Sequence, residues 1–189
     1  MLEVSTKSRK KSGQRLSAFN LKVNSVRNGQ LALESAFQGS KVFEHGGPFT
    51  ELYGMEVREA KKDLRLKESG LLTGFKFDGT WFPIDPKTIF YDWLYCNALY
   101  PHREWCEVLY GYAGFTDIEF NPHRSINCQA RSCALFLALM KRGLLDDAIK
   151  APSAFIKTVT GFAYHPELWR DDNATQDLFE AQQSSVGRR

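Results

Sequence analysis

The sequence lacks the features that mark several large classes of protein. It contains no run of about 18 apolar residues, so no membrane-spanning helix is predicted. Its N-terminal residues include no apolar stretch typical of a secretory signal, so we expect none. It also has no H-E-x-x-H, G-x-G-x-x-G, G-x-S-x-G or phosphate-binding loop. These local patterns therefore identify no functional site in this sequence.

Cysteines are few and widely spaced. The chain has four, and no two form a C-x-x-C pair. Four histidines are equally scattered. We expect no disulfide framework and no metal site, and reduced thiols suit a cytoplasmic protein.

The composition predicts one folded domain with charged ends. Of 189 residues, 43% are hydrophobic and 13% aromatic, enough for a sizeable core. Net charge is +3, yet residues 1–15 alone carry +4, which leaves about −1 for the remainder. We predict a basic flexible arm over 1–15, a compact domain over 16–179 and a polar tail over 180–189. The arm either contacts nucleic-acid backbone or is an ordinary solvated terminus.

Periodicity predicts a helix-rich α+β fold with a few short strands. A hairpin is expected over 72–83, around Asp78-Gly79, and a strand over 115–120. The predicted helices cover 31–45, 55–68, 87–100, 104–110, 126–142, 144–150 and 153–160.

The predicted helix 31–45 carries a polar stripe beside its apolar face. Glu34, Gln38 and Lys41 stand at i, i+4 and i+7, next to Phe37, with Glu34 and Lys41 roughly 10 Å apart along the axis. A carboxylate near an apolar wall can move protons, and a partly desolvated lysine can act as an amine nucleophile toward an anomeric carbon through a Schiff base. The alternative is an ordinary amphipathic boundary whose long side chains reach solvent.

Three further groups have functional and structural interpretations. Asp117 and Glu119 share one face of the predicted strand, where they share acid/base work, bind a cation or ribose hydroxyls, or simply face solvent. Trp93 belongs to an aromatic-rich stretch that either packs in the core or stacks on a base. Asn127 begins the apolar helix 126–142, as a cap or as a ligand contact.

Four segments in order resemble the NADAR family over about residues 15–142. LESAFQGSK resembles its S-x-E-H-Y-x-Q-A-x-K pattern through Glu34, Gln38 and Lys41, with Phe37 supplying the aromatic residue. LSAFN, DIEFNP and NCQARSCALFLALM resemble its L-S-N-F, V-E-A-S-P and N-x-L-G-x-x-L-M segments. Arg124 stands where many members have an aspartate. Either Asp117 takes over the role of that aspartate, or the role is absent from this chain. The FEHGGPFTELYGMEVREAKKDLR stretch resembles the branch found beside DarT-type toxins, which ADP-ribosylate DNA bases.

The resemblance implies an antitoxin that removes ADP-ribose from guanosine in DNA, without metal or cofactor. It implies Lys41 and Glu34 as catalytic residues, ADP-ribosylated DNA as substrate and a DarT-type toxin as possible partner, with the oligomeric state open. Two alternatives remain: an N-glycosidase acting on a riboflavin-pathway-like metabolite, and a non-catalytic protein that reads ADP-ribose or binds the toxin. The expected substrate-binding residues are Ser17, Phe19, Asn20, Gln38, Trp93, Asp117, Glu119, Arg124 and Asn127.

Overall fold

The computed structural model describes residues 1–118, 120, 127–161 and 163. Helices and short strands are interspersed along these residues, which confirms the helix-rich α+β class. The strands are β1 (Leu2–Glu3), β2 (Lys22–Ser25), β3 (Gly29–Ala32), β4 (Lys41–Phe43), β5 (Leu72–Phe77), β6 (Thr80–Phe82) and β7 (Phe115–Thr116). The helices are α1 (Lys11–Arg15), α2 (Leu33–Gly39), α3 (Val57–Ala60), α4 (Arg65–Glu68), α5 (Ile89–Leu99), α6 (Arg103–Cys106), α7 (Gln129–Lys141), α8 (Leu145–Ala148) and α9 (Pro152–Thr160). Three 3₁₀ turns cover Thr50–Gly54, Tyr100–His102 and Glu107–Gly111.

The strands form three small sheets. β4, β5 and β6 make an antiparallel sheet in that order, β2 pairs with β3 antiparallel, and β1 pairs with β7 in parallel. The predicted hairpin is confirmed: β5 and β6 are joined at Asp78 and Gly79, with φ of 49° and 84°, as a primed turn requires. The Asp78 carboxylate accepts hydrogen bonds from the Ser25 hydroxyl (2.6 Å) and the Val26 N–H (2.8 Å). These bonds tie the hairpin to the turn after β2.

An aromatic cluster joins α2, the three-stranded sheet and α5. The Phe90 ring of α5 lies 4.7 Å from both Phe75 and Phe82, and 6.1 Å from Phe37 of α2. The predicted helix 87–100 is therefore confirmed, with nine of its eleven observed residues buried. Because α5 also packs on α7, it is the central element that positions the others.

The predicted helix 31–45 is only half right. α2 ends at Gly39, Ser40 closes it, and Lys41–Phe43 continue as strand β4. A Cβ on Gly39 would lie 2.7 Å from the Tyr53 ring, so the chain turns where it passes closest to that ring. Val42 and Phe43 are good strand residues, and pairing with β5 overrides the helical periodicity.

The predicted helix 55–68 is also wrong as a single element. It is two short helices, α3 and α4. The Asp63 carboxylate accepts a hydrogen bond from the Arg65 N–H (3.0 Å), and local bonding of this kind favours a new start over continuation.

The basic N-terminal segment is not a loose arm. Leu2 and Val4 are buried, and β1 pairs with β7. A Cβ on Gly13 of α1 would lie 2.0 Å from the Glu3 carbonyl oxygen, so α1 packs directly on β1. The apolar alternation of Leu2 and Val4 was the available signal, and the five cations concealed it.

The remaining helix predictions are confirmed with adjusted bounds. α7 lies within 126–142 and ends before Gly143, whose φ is 65°. Helix over 104–110 appears as α6 and the 3₁₀ turn that follows, 144–150 contains α8, and the helix predicted over 153–160 is α9, which begins one residue earlier. The predicted strand 115–120 is β7 over two residues only. The tail 180–189 and the end of the domain, from residue 164, lie outside the described residues.

Candidate active site

The candidate site consists of Glu34, Phe37, Gln38, Lys41 and Lys61. The first three lie on α2, Lys41 opens β4, and Lys61 immediately follows α3. All seven residues of α2 are buried, because the helix lies between the sheet, α5 and the 50–60 segment. The polar residues of α2 are therefore surrounded by packed protein and do not lie at the edge of a solvent-exposed surface.

Glu34 and Gln38 form a buried polar pair one helical turn apart. Gln38 Nε2 donates a hydrogen bond to Glu34 Oε1 at 2.9 Å, and the two residues are 6% and 5% exposed. Lys61 Nζ lies 3.6 Å from the same oxygen. A buried carboxylate is costly unless it is paired, and these two contacts supply the pairing. Gln38 thus orients Glu34 in this structure.

Lys41 presents its amine to the same region from the first position of β4. Its Nζ lies 5.0 Å from the centre of the Phe37 ring. Burial lowers the pKa of this amine from 10.5 to about 8; Glu34 opposes the shift, and the charge of Lys61 adds to it. The predicted arrangement, with both groups on one helix, is wrong, but the electrostatic coupling of Lys41 to Glu34 places them in one neighbourhood.

Lys61 was not anticipated from the sequence. In a charged segment it resembles any solvated lysine, and its side chain is 54% exposed. Only the tertiary structure brings it to Glu34, with Nζ 5.5 Å from the centre of the Phe19 ring. It thereby links the 16–21 segment to the site.

Tyr91 of α5 borders the candidate site through its contact with Phe37. Its ring meets that of Phe37 edge-on at 5.2 Å. Burial raises the pKa of the Tyr91 phenol well above 10, and Glu34 and then Asp117 raise it further. Tyr91 therefore stays protonated, and its hydroxyl can serve as a donor.

The predicted residues of the 16–21 segment have different environments. Ser17 is fully buried, and its hydroxyl accepts a hydrogen bond from the Phe19 N–H at 3.4 Å, so it shapes the turn. Phe19 is half-buried beneath Lys61. Asn20 is exposed and donates to the Gln14 carbonyl at 2.8 Å. Of the three, Phe19 is the one that the structure brings to the site.

The start of α7 is held by side chains from two segments. Asp117 accepts a hydrogen bond from the Gln129 N–H (3.2 Å), and Gln129 Oε1 accepts one from the Ala18 N–H (2.7 Å). Asp117 therefore acts at the helix start, while its charge reaches Tyr91. Asn127, two residues before α7, is half-buried. Glu119 and Arg124 lie outside the described residues.

Trp93 belongs to the aromatic cluster of the core. Its ring lies 4.9 Å from Phe82 and 6.0 Å from Phe77. The packing interpretation of this residue therefore fits the structure better than a role in stacking on substrate.

Two clefts open elsewhere on the described surface. One, of about 570 Å³, lies between α7 and the 109–115 segment, and the other, of about 830 Å³, adjoins α1 and the end of α5.

Among the described residues, no three His, Cys, Asp or Glu side chains cluster as metal ligands would. In the same part of the chain, every helix is too short or too polar to cross a membrane.

A helix-rich α+β domain that brings Glu34, Gln38 and Lys41 together has the features expected of a NADAR domain. The comparison with family models agrees: the model of the DarT1-associated NADAR antitoxins matches residues 1–167, and the chain belongs to this family. A comparison with curated proteins found no match. The resemblance to the DarT-associated branch is thus confirmed, and the match includes the N-terminal segment.

Proposed function

We propose that this antitoxin removes ADP-ribose from guanosine bases of DNA and so reverses a DarT-type toxin. The observation that carries the proposal is the position of the Lys41 amine, 5.0 Å from the centre of the Phe37 ring on the helix that also holds the paired Glu34 carboxylate. Burial there lowers the pKa of the amine to about 8. A lysine that is partly neutral near physiological pH is a competent nucleophile, whereas an ordinary surface lysine is not.

The reaction needs one nucleophile and one proton carrier. The neutral Lys41 amine adds to the anomeric carbon of the ribose, and the bond from that carbon to the base nitrogen breaks. Glu34 accepts the proton that the amine loses and delivers it to the departing nitrogen. The bond from the anomeric carbon to the ring oxygen then breaks, the ring oxygen takes a proton from water, and a protonated Schiff base forms at Lys41. Hydrolysis of the Schiff base releases ADP-ribose and the free lysine.

Other residues support this chemistry without taking part in bond exchange. Gln38 orients Glu34, and Lys61 holds the charge of Glu34 while disfavouring the ammonium form of Lys41. The Tyr91 hydroxyl and the Asp117 carboxylate are the partners that this proposal assigns to the ribose hydroxyls. The Phe37 ring forms the apolar wall that desolvates the amine.

The test compares conservative variants on a short ADP-ribosylated oligodeoxynucleotide. Lys41→Arg keeps the charge but removes the nucleophile, and Glu34→Gln keeps the shape but removes the proton carrier. Each should lower the release of ADP-ribose by at least about 100-fold. Lys76→Arg, a matched substitution on strand β5 of the same sheet, should behave as wild type.

Three outcomes would contradict the proposal. Near wild-type turnover by folded Lys41→Arg would remove the nucleophile from the mechanism. Turnover of a phosphoribosyl metabolite in preference to modified DNA would favour the metabolite glycosidase. Tight ADP-ribose binding by the wild type without any release would favour a non-catalytic reader.

A further inference from the structure

A cationic cleft lies on the face formed by α1, the start of β2 and the end of α5. Its volume is about 830 Å³, large enough for several groups of a polymeric ligand. Neither Lys41 nor Glu34 lines it, so it is separate from the candidate site.

The charge of the cleft has one sign. Lys11 and Arg15 enter from α1, Lys22 from β2, and His102 from the turn after α5. The described part of the chain contributes no Asp or Glu to the lining. Two elements thus direct three cations into one concave surface, and the turn after α5 adds an imidazole, which favours a ligand with several negative charges.

The cleft also contains a half-buried aromatic ring. Trp105 of α6 lies in its wall, and the Arg15 guanidinium sits 5.5 Å from the centre of the Trp105 ring. The Asn97 amide, whose Nδ2 donates to the Trp93 carbonyl at 2.9 Å, completes this end of the cleft. Aromatic and guanidinium planes that lie beside cations are the elements with which proteins hold unpaired bases and their phosphates.

The cleft is adjacent to the candidate site. Leu21, in its lining, accepts a hydrogen bond at its carbonyl from the Leu33 N–H (3.0 Å), and Glu34 is the next residue. Asn97 in the cleft and Tyr91, whose ring contacts Phe37 of the candidate site, belong to the same helix and are separated by about 9 Å along its axis.

We propose that this cleft binds the single-stranded DNA that flanks the modified nucleotide, with a base on Trp105 and phosphates on Arg15, Lys11 and Lys22. The proposal rests on the proposed function for its choice of DNA. A single strand is the favoured form because a base must leave the duplex before an enzyme can act on its glycosidic substituent.

The experiment measures binding of an unmodified, fluorescein-labelled single-stranded oligodeoxynucleotide by anisotropy over a range of salt concentrations. Arg15→Gln combined with Lys22→Gln should weaken binding at least about tenfold at low salt. The slope of log K against log salt should fall by about 1.4, because about 0.7 is expected per phosphate contact on single strands. Trp105→Leu, which keeps apolar bulk, should weaken binding at least about fivefold.

The matched control carries Lys67→Gln and Lys87→Gln, two exposed lysines outside the cleft with the same total charge change. It should bind DNA within about twofold of the wild type if the effect is local rather than due to net charge. Equal losses in the control and the cleft variant would overturn the proposal, as would undetectable DNA binding by the wild type. Unchanged DNA binding by the cleft variant, with loss of binding to the cognate toxin, would overturn it in favour of an acidic protein surface.

The binding assay needs no turnover, so the two proposals fail separately. Cleft-dependent DNA binding by a wild-type protein that releases no ADP-ribose would overturn the proposed reaction and support the cleft. Normal release together with a cleft variant that binds DNA like the wild type would overturn the cleft and support the reaction.

Discussion

The lowered pKa of Lys41 makes the rate of ADP-ribose release depend on pH in a defined direction. With a pKa of about 8, roughly a tenth of the amine is neutral at pH 7. At the ordinary lysine value, only about 3 in 10,000 molecules would be neutral, so burial increases the nucleophilic fraction about 300-fold. Because the neutral form reacts, kcat/KM should rise about tenfold from pH 7 and level off above about pH 9.

The assay follows release of ADP-ribose from a modified oligonucleotide under kcat/KM conditions across this pH range. The limb below the pKa should have a slope close to one, since one proton leaves one amine. Circular dichroism at each pH would show that the fold is retained, so that loss of structure is not read as titration.

A rate that is flat or falls between pH 7 and 9 would refute the reasoning about Lys41. An inflection near 10.5 would mean that the amine is as solvated as a surface lysine. Either result would contradict the effect of burial by α2 and the Phe37 ring.

Four further outcomes are expected. Lys61→Gln should move the inflection of the pH profile to higher pH, because the charge of Lys61 lowers the pKa of Lys41; a move to lower pH would contradict this. At pH 7, the free energy of unfolding of Lys41→Met should equal that of the wild type or be higher by up to about 3 kcal/mol, because burial of the ammonium is unfavourable. The wild type should gain stability with rising pH between about 8 and 10.5, where the unfolded chain binds more protons, and denaturant titrations should show no such gain for Lys41→Met. Gly39→Ala should lower the denaturation midpoint by the equivalent of about 1–3 kcal/mol, since its Cβ would lie 2.7 Å from the Tyr53 ring; an unchanged midpoint would contradict that close approach.

Elements with strong local signals were predicted well. The β5–β6 hairpin carries its turn signal in Asp78-Gly79, and α5 and α7 are long enough for their apolar residues to define a helix. In these segments, local preference and tertiary packing favour the same structure.

The errors arose where a long-range contact overrides a local pattern. Lys41 continues the helical periodicity of Glu34 and Gln38, but β4 pairs with β5, about thirty residues away in sequence, and no local feature reports this. Leu2 and Val4 are buried because β1 meets β7, more than a hundred residues later.

The candidate site was predictable in its residue types but not in its geometry. Glu34, Gln38 and Lys41 could be chosen from spacing and from the family resemblance. Lys61 could not, because it reaches Glu34 only once the 50–60 segment folds over α2. The buried position of Ser17 and the packing of Trp93 in the core likewise depend on contacts that the sequence does not show.

The most direct test of the mechanism is to trap its covalent intermediate. The wild-type protein is incubated with an ADP-ribosylated oligonucleotide and borohydride, and its peptides are examined by mass spectrometry. Reduction of the Schiff base should leave one ADP-ribosyl adduct, on Lys41 and not on Lys61 or Lys76. Full release of ADP-ribose with no adduct on Lys41, or an adduct on another lysine, would contradict the mechanism proposed for this site.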